Sequence, residues 1–124
     1  MNKLEIHLLL KRQWPNACVH IPDKDYFLPS EYKIWDEIVS SYFEDYKYQS
    51  QIMDCDDYSL LLHAWIRQQQ YRQQWSQPLA FGEVWSKTHA LNFVILDDKT
   101  IKLIEPQNDK LLNPNTYDIN FVRM

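Results

Sequence analysis

Apolar positions recur at helical spacing through the first two thirds of the chain and alternate after Pro78. Asn2 with Glu5 has the N-x-x-E form of a capping box, and Leu4, Leu8 and Leu9 follow at helical steps. A strand through Leu4, Ile6, Leu8 and Leu10 competes with that reading. Pro15 and Asn16 end the element, and Pro22 to Pro29 enclose an acidic, aromatic loop. Ser30 is a good N-cap for a second helix, whose stripe is Ile34, Ile38 and either Trp35 or Tyr42, up to about Phe43. The clearest helix runs from Asp54 to Trp75, with Tyr58, Leu61, Leu62, Trp65 and Ile66 three and four residues apart. Strands are expected at Leu79–Trp85, His89–Leu96, Thr100–Glu105 and Ile119–Val122. Helices come first and sheet second, an α+β order.

Composition narrows what such a chain does. Its 124 residues suit one domain, residues 1–124, and 5 Trp, 8 Tyr and 5 Phe supply core area without metals or disulfides. A formal net charge of -4 has the wrong sign for counterion-release binding to nucleic acid. The lone glycine, Gly82, excludes a P-loop and a dinucleotide-binding fingerprint. Cys18 and Cys55 read as thiols. The apolar run Leu8–Leu10 is too short for a signal peptide, and no stretch reaches bilayer length, so a cytoplasmic protein with no membrane partner is expected.

The chemically loaded segment is Asp54-Cys55-Asp56-Asp57. A thiol at a helix N-terminus feels the positive end of the dipole and ionises more readily, while the flanking carboxylates oppose that effect. If Asp97-Asp98-Lys99 is the loop between two strands, Leu96 faces Thr100, Leu91 faces Glu105, and His89 and Glu105 become diagonal neighbours on one face. That face also carries Leu91, Phe93, Ile95, Ile101 and Leu103, and is expected to pack on the Cys55 helix. Cys55, His89 and Glu105 then form a thiol, a base and an orienter, with the Cys55 backbone N–H as an oxyanion donor. Gln49 or Gln51 could supply a second donor.

Asp54-Cys55-Asp56-Asp57-Tyr58, Thr88-His89-Ala90-Leu91-Asn92 and Ile104-Glu105-Pro106-Gln107 resemble, in order and spacing, the papain-like cysteine protease domain at the C-terminus of the fairy-ring mushroom agglutinin and its short bacterial and phage relatives. The resemblance implies a papain-like fold, with the Cys55 helix packed on a small antiparallel sheet. It makes Cys55 the nucleophile, His89 the base and Glu105 the orienting acid of a cysteine peptidase acting on peptide or protein amide bonds. It also places Asp56, Asp57 and Gln107 around a calcium ion, for which oxygen ligands are suited. Acyl transfer of transglutaminase type and a catalytically silent interaction module are the alternatives. Cys18, His20 and His7 could form half a zinc site, though a structural loop is the simpler reading. The aromatic series Trp65, Tyr71, Trp75, Phe81 and Trp85 could line a groove or build core. His63, two turns beyond Cys55, is expected to be a partly buried helix histidine and not the thiol's base.

Overall fold

The computed structural model describes residues 1–124, with every side chain apart from that of Glu44. Helix α1 (Lys3–Gln13) is followed by strand β1 (Cys18–His20), helix α2 (Glu31–Val39), a single 3₁₀ turn (Phe43–Asp45) and the long helix α3 (Cys55–Arg72). Strands β2 (Phe81–Trp85), β3 (Ala90–Ile95), β4 (Ile101–Glu105), β5 (Lys110–Leu112) and β6 (Phe121–Arg123) complete the chain. One sheet of six strands holds them in the order β1-β6-β2-β3-β4-β5.

Local chemistry sets the helix starts. The Asn2 side chain accepts from the Glu5 N–H at 3.0 Å, and the Glu5 carboxylate accepts from the Asn2 N–H at 3.0 Å, closing the capping box. The Ser30 hydroxyl accepts from the Lys33 N–H at 3.2 Å and starts α2. Which face each helix buries differs from the expected stripes. In α1, Ile6 and Leu10 are buried and Leu4 and Leu8 are exposed. In α2, Ile34 and Ile38 are buried as expected, whereas Trp35 and Tyr42 point largely to solvent.

The expected papain-like arrangement on a small antiparallel sheet is corrected here. The sheet is mixed, because β1 runs parallel to β6 while β2, β3, β4, β5 and the β2–β6 pair are antiparallel. It is also larger than expected. β1 and β5 have three residues each, too short for alternation to reveal, and β1 includes the Cys18-Val19-His20 segment that looked like a loop. Both strands owe their form to neighbours that are distant in sequence.

Two cores flank the sheet. On one face Ile6, Leu10 and Trp14 pack on Val84, Leu91, Phe93, Ile95, Ile101, Leu103 and Val122. On the other, Ile34 and Ile38 of α2 and Leu62 and Ile66 of α3 pack on Phe81, Val94, Leu96 and Ile104. All six residues of β3 are buried, because helices cover both its faces. The strand register is the one expected: Asn92 pairs with Ile104, Ile95 with Ile101, and the Leu96 N–H reaches the Thr100 carbonyl at 2.9 Å. The face of Leu91 and Phe93, however, lies under α1 and Trp14, and α3 covers the opposite one. Gly82 is required by a close approach: a Cβ there would stand 2.0 Å from the Arg123 carbonyl oxygen.

Candidate functional site

The register of β3 against β4 has one direct chemical result. His89 Nε2 lies 2.6 Å from Glu105 Oε2, with the two side chains 18% and 13% exposed. A carboxylate at Nε2 favours the proton on that nitrogen, which leaves Nδ1 as the acceptor. Glu105 is itself held, since its Oε1 accepts from the Gln107 N–H at 3.2 Å. The ring of Tyr117 packs against His89 with centroids 5.2 Å apart and planes tilted by 41°. Ser86 completes the frame: its hydroxyl accepts from the His89 N–H at 3.0 Å.

Cys55 is the first residue of α3, and three contacts show where that end of the helix lies. The Ser59 hydroxyl donates to the Leu91 carbonyl at 2.8 Å, His63 meets Glu83 at 2.7 Å, and Arg67 reaches the Phe81 carbonyl at 3.2 Å. Phe81 pairs with Val94 and Glu83 with Asn92, so α3 advances in the same direction as β3. One turn back from Ser59, Cys55 therefore lies toward the sheet end where β3 begins and β4 stops. His89 and Glu105 occupy that end. Both cysteines are free thiols, and Cys55 is half-buried.

Around Cys55 the carboxylates of Asp54, Asp56 and Asp57 gather within 4.8 Å of one another. The Asp57 carboxylate accepts from the Asp54 N–H at 3.1 Å, and that of Asp54 accepts from the Gln51 N–H at 3.1 Å. A hydrogen bond shared between Asp54 and Asp56 pushes the Asp56 carboxyl above its ordinary range and, with the Gln51 N–H, holds Asp54 below it. Of the residues expected around a cation, Asp56 and Asp57 belong to this group. Gln107 lies in the turn after β4, where its backbone N–H donates to Glu105, and Asp54 is the third carboxylate of the group.

Buried polar residues that sequence reasoning passed over fix α3 on the sheet. The Asn92 side-chain amide donates to the Ser59 carbonyl at 2.9 Å and the Gly82 carbonyl at 3.2 Å, and Asn92 is fully buried. Tyr58 donates its hydroxyl to the Tyr46 carbonyl, tying α3 to the segment after the 3₁₀ turn. Tyr117 was not legible either, because only the fold brings it to His89. His63 is buried and bonded to Glu83 and Arg67, as befits a histidine with no part in the Cys55 group.

The sheet, its two flanking layers and a polar group at one sheet end define a compact mixed α and β unit with a candidate ligand site. Solved structures share this fold. One, described as a complex of PSL1a with E64, superposes with a TM-score of 0.88 at 20% identity, over 100% of this chain and 51% of that one. Another, Polyporus squamosus lectin bound to the human-type influenza-binding epitope Neu5Acα2-6Galβ1-4GlcNAc, gives a TM-score of 0.85 at 20% identity, over 100% and 49%. This chain thus spans about half the length of the chains it matches. At this identity the likeness shows the fold alone. No family model and no curated protein matches the sequence.

These structures correct the expected family. One of these structures is described as a lectin and neither is described as a papain-like cysteine protease, so that assignment is withdrawn, together with the peptidase activity and hydrolase class that rested on it. Among the described residues no helix is long and apolar enough to cross a membrane.

Proposed function

We propose that this chain is a non-catalytic binding module whose ligand site is the sheet end carrying Cys55, His89 and Glu105. The observation that carries the reading is the His89–Glu105 pair, ordered at 2.6 Å beside Tyr117 at the end of the sheet where α3 begins with the half-buried Cys55. Such a group offers a hydrogen-bond acceptor at His89 Nδ1, an aromatic face at Tyr117 and a soft sulfur at Cys55. That a protein of this fold is described in complex with E64 supports a small-molecule site, and E64 is the probe of choice. The free thiols fit a reducing, cytoplasmic setting. Asp56 and Asp57, with Asp54, offer the oxygen ligands a calcium ion would take beside this site.

The test is retention of E64 by the whole chain, followed by intact-mass analysis and calorimetric titration, in calcium and in chelator. One E64 per chain, lost in Cys55→Ala and weakened in His89→Ala, is expected. No retention by the wild-type chain would remove the site. Steady-state cleavage of a peptide amide that disappears in Cys55→Ala would overturn the non-catalytic reading. Titration with Neu5Acα2-6Galβ1-4GlcNAc forms the other arm, and binding that ignores Cys55 and His89 substitutions would move the ligand site elsewhere.

A further inference from the structure

A second polar group lies on the flank of α3, two turns from Cys55. Helix α3 packs on β2 and β3, and beside it, toward β6, Leu60, His63, Ala64, Arg67, Arg123 and Met124 line a concavity of about 190 Å³. Arg67 and Arg123 are the charged side chains of its lining. Arg67 Nε donates to His63 Nε2 at 3.2 Å, and His63 Nδ1 stands 2.7 Å from Glu83 Oε1. A guanidinium is only a donor, so His63 Nε2 accepts from Arg67 and Nδ1 faces the Glu83 carboxylate. Glu83, almost wholly buried, also takes Arg123 Nη2 at 3.3 Å. Glu83 therefore pairs directly with Arg123, and Arg67 reaches it only through His63.

Arg67 lacks a directly bonded carboxylate among the described residues. Three of its four other N–H groups reach neutral acceptors, Gln70 Oε1 at 2.9 Å, the Leu79 carbonyl at 3.5 Å and the Phe81 carbonyl at 3.2 Å, which leaves one Nη2 N–H for a ligand. No ion pair within 4.0 Å includes Arg67 among the described residues. Asp23 and Tyr26 act on it only at longer range, and desolvation lowers its pKa. A guanidinium taken out of water without a counterion is unfavourable unless an anion completes it. Arg123 is half-exposed and keeps further N–H groups free to turn toward a ligand.

We propose that this concavity binds the oxyanion end, carboxylate or phosphate, of a small ligand between Arg67 and Arg123. The Glu83–His63 pair holds the two guanidinium groups in place beneath it, and the exposed edge at Leu60 and Ala64 leaves room for the rest of the ligand. The site is separate from the Cys55 end of the sheet and does not depend on the function proposed there.

Sodium phosphate and sodium acetate, titrated into the whole chain at constant ionic strength, test it, with the arginine Nε–H resonances and thermal unfolding as readouts. Saturable shifts at Arg67 and Arg123 with a raised Tm are expected for at least one probe, and which probe saturates tells phosphate from carboxylate. Arg123→Gln should weaken binding about tenfold, and Ala64→Glu, which adds a carboxylate at the mouth, should abolish it. Both positions are exposed, so far-UV circular dichroism should be unchanged. Cys55→Ala should leave the titration as it was. Linear shifts without saturation, or affinity indifferent to Arg123→Gln and Ala64→Glu, would overturn the proposal.

Discussion

His89 and Glu105 meet diagonally across β3 and β4, Nε2 to Oε2 at 2.6 Å, because Leu91 stands opposite Glu105 in that register. A shift of one residue in the connecting loop would send Glu105 to the other face of the sheet. Glu105→Leu leaves a largely buried imidazole nitrogen without its partner and should lower stability by about 1–3 kcal/mol in urea unfolding. Glu105→Gln keeps an acceptor oxygen and should lose less. Equal losses for the two variants would mean that packing, and not the hydrogen bond, holds the pair.

Gly82 meets the Arg123 carbonyl so closely that even a methyl group does not fit. Gly82→Ala should force β2 and β6 apart and destabilise the chain by about 1–3 kcal/mol or more, read as a lower Tm. An unchanged Tm would show that β6 can move aside without loss.

Asn92 joins α3 to the sheet through two buried carbonyl groups. Asn92→Ala removes both donors and leaves a small void, which should cost about 2–4 kcal/mol. Ser59→Ala removes the bond to the Leu91 carbonyl and should cost about 1 kcal/mol. Chemical denaturation of both variants and of the double variant would show whether they act as one network, as non-additive losses would indicate.

In α1 the buried stripe is Ile6 and Leu10. Leu10→Ala should therefore cost about 2–5 kcal/mol, whereas Leu8→Ala, on the exposed side, should change stability by about 0.5 kcal/mol or less. Thermal melts of the pair decide the orientation of α1, and the reverse order would place the helix the other way round.

The Asp98 carboxylate accepts from the Thr100 N–H at 2.9 Å and the Thr100 hydroxyl at 2.6 Å, and these bonds hold its pKa below the ordinary value. Its contribution to the β3–β4 hairpin is present above the unfolded carboxyl pKa of about 3.9 and is lost as pH falls through the lower folded value. A carbonyl-detected NMR titration should give an Asp98 midpoint below 3.9, and Asp98→Asn should flatten that part of the acid stability profile. A midpoint at or above the ordinary value would show that the Thr100 bonds do not form in solution.

Short-range chemistry made much of this molecule legible from the sequence alone. The capping box of Asn2 and Glu5, the Ser30 cap, the long helix starting at Cys55 and the β3–β4 hairpin all follow from interactions within a few residues or from strict alternation. The meeting of His89 with Glu105 was legible for the same reason, since a hairpin loop of known length sets its own register. Tertiary structure alone decided the rest. Periodicity says that a strand has an apolar face, but not which helix will cover it, so Leu91 and Phe93 lie under α1 and not under α3. Burial of β3 on both faces makes Asn92 a buried anchor, and β1 became a strand only because β6 lies beside it. The charged cluster of His63, Glu83, Arg67 and Arg123 likewise joins residues far apart in the chain. Neither propensity nor spacing carries that information, because the free energy of such contacts depends on which surfaces leave water together.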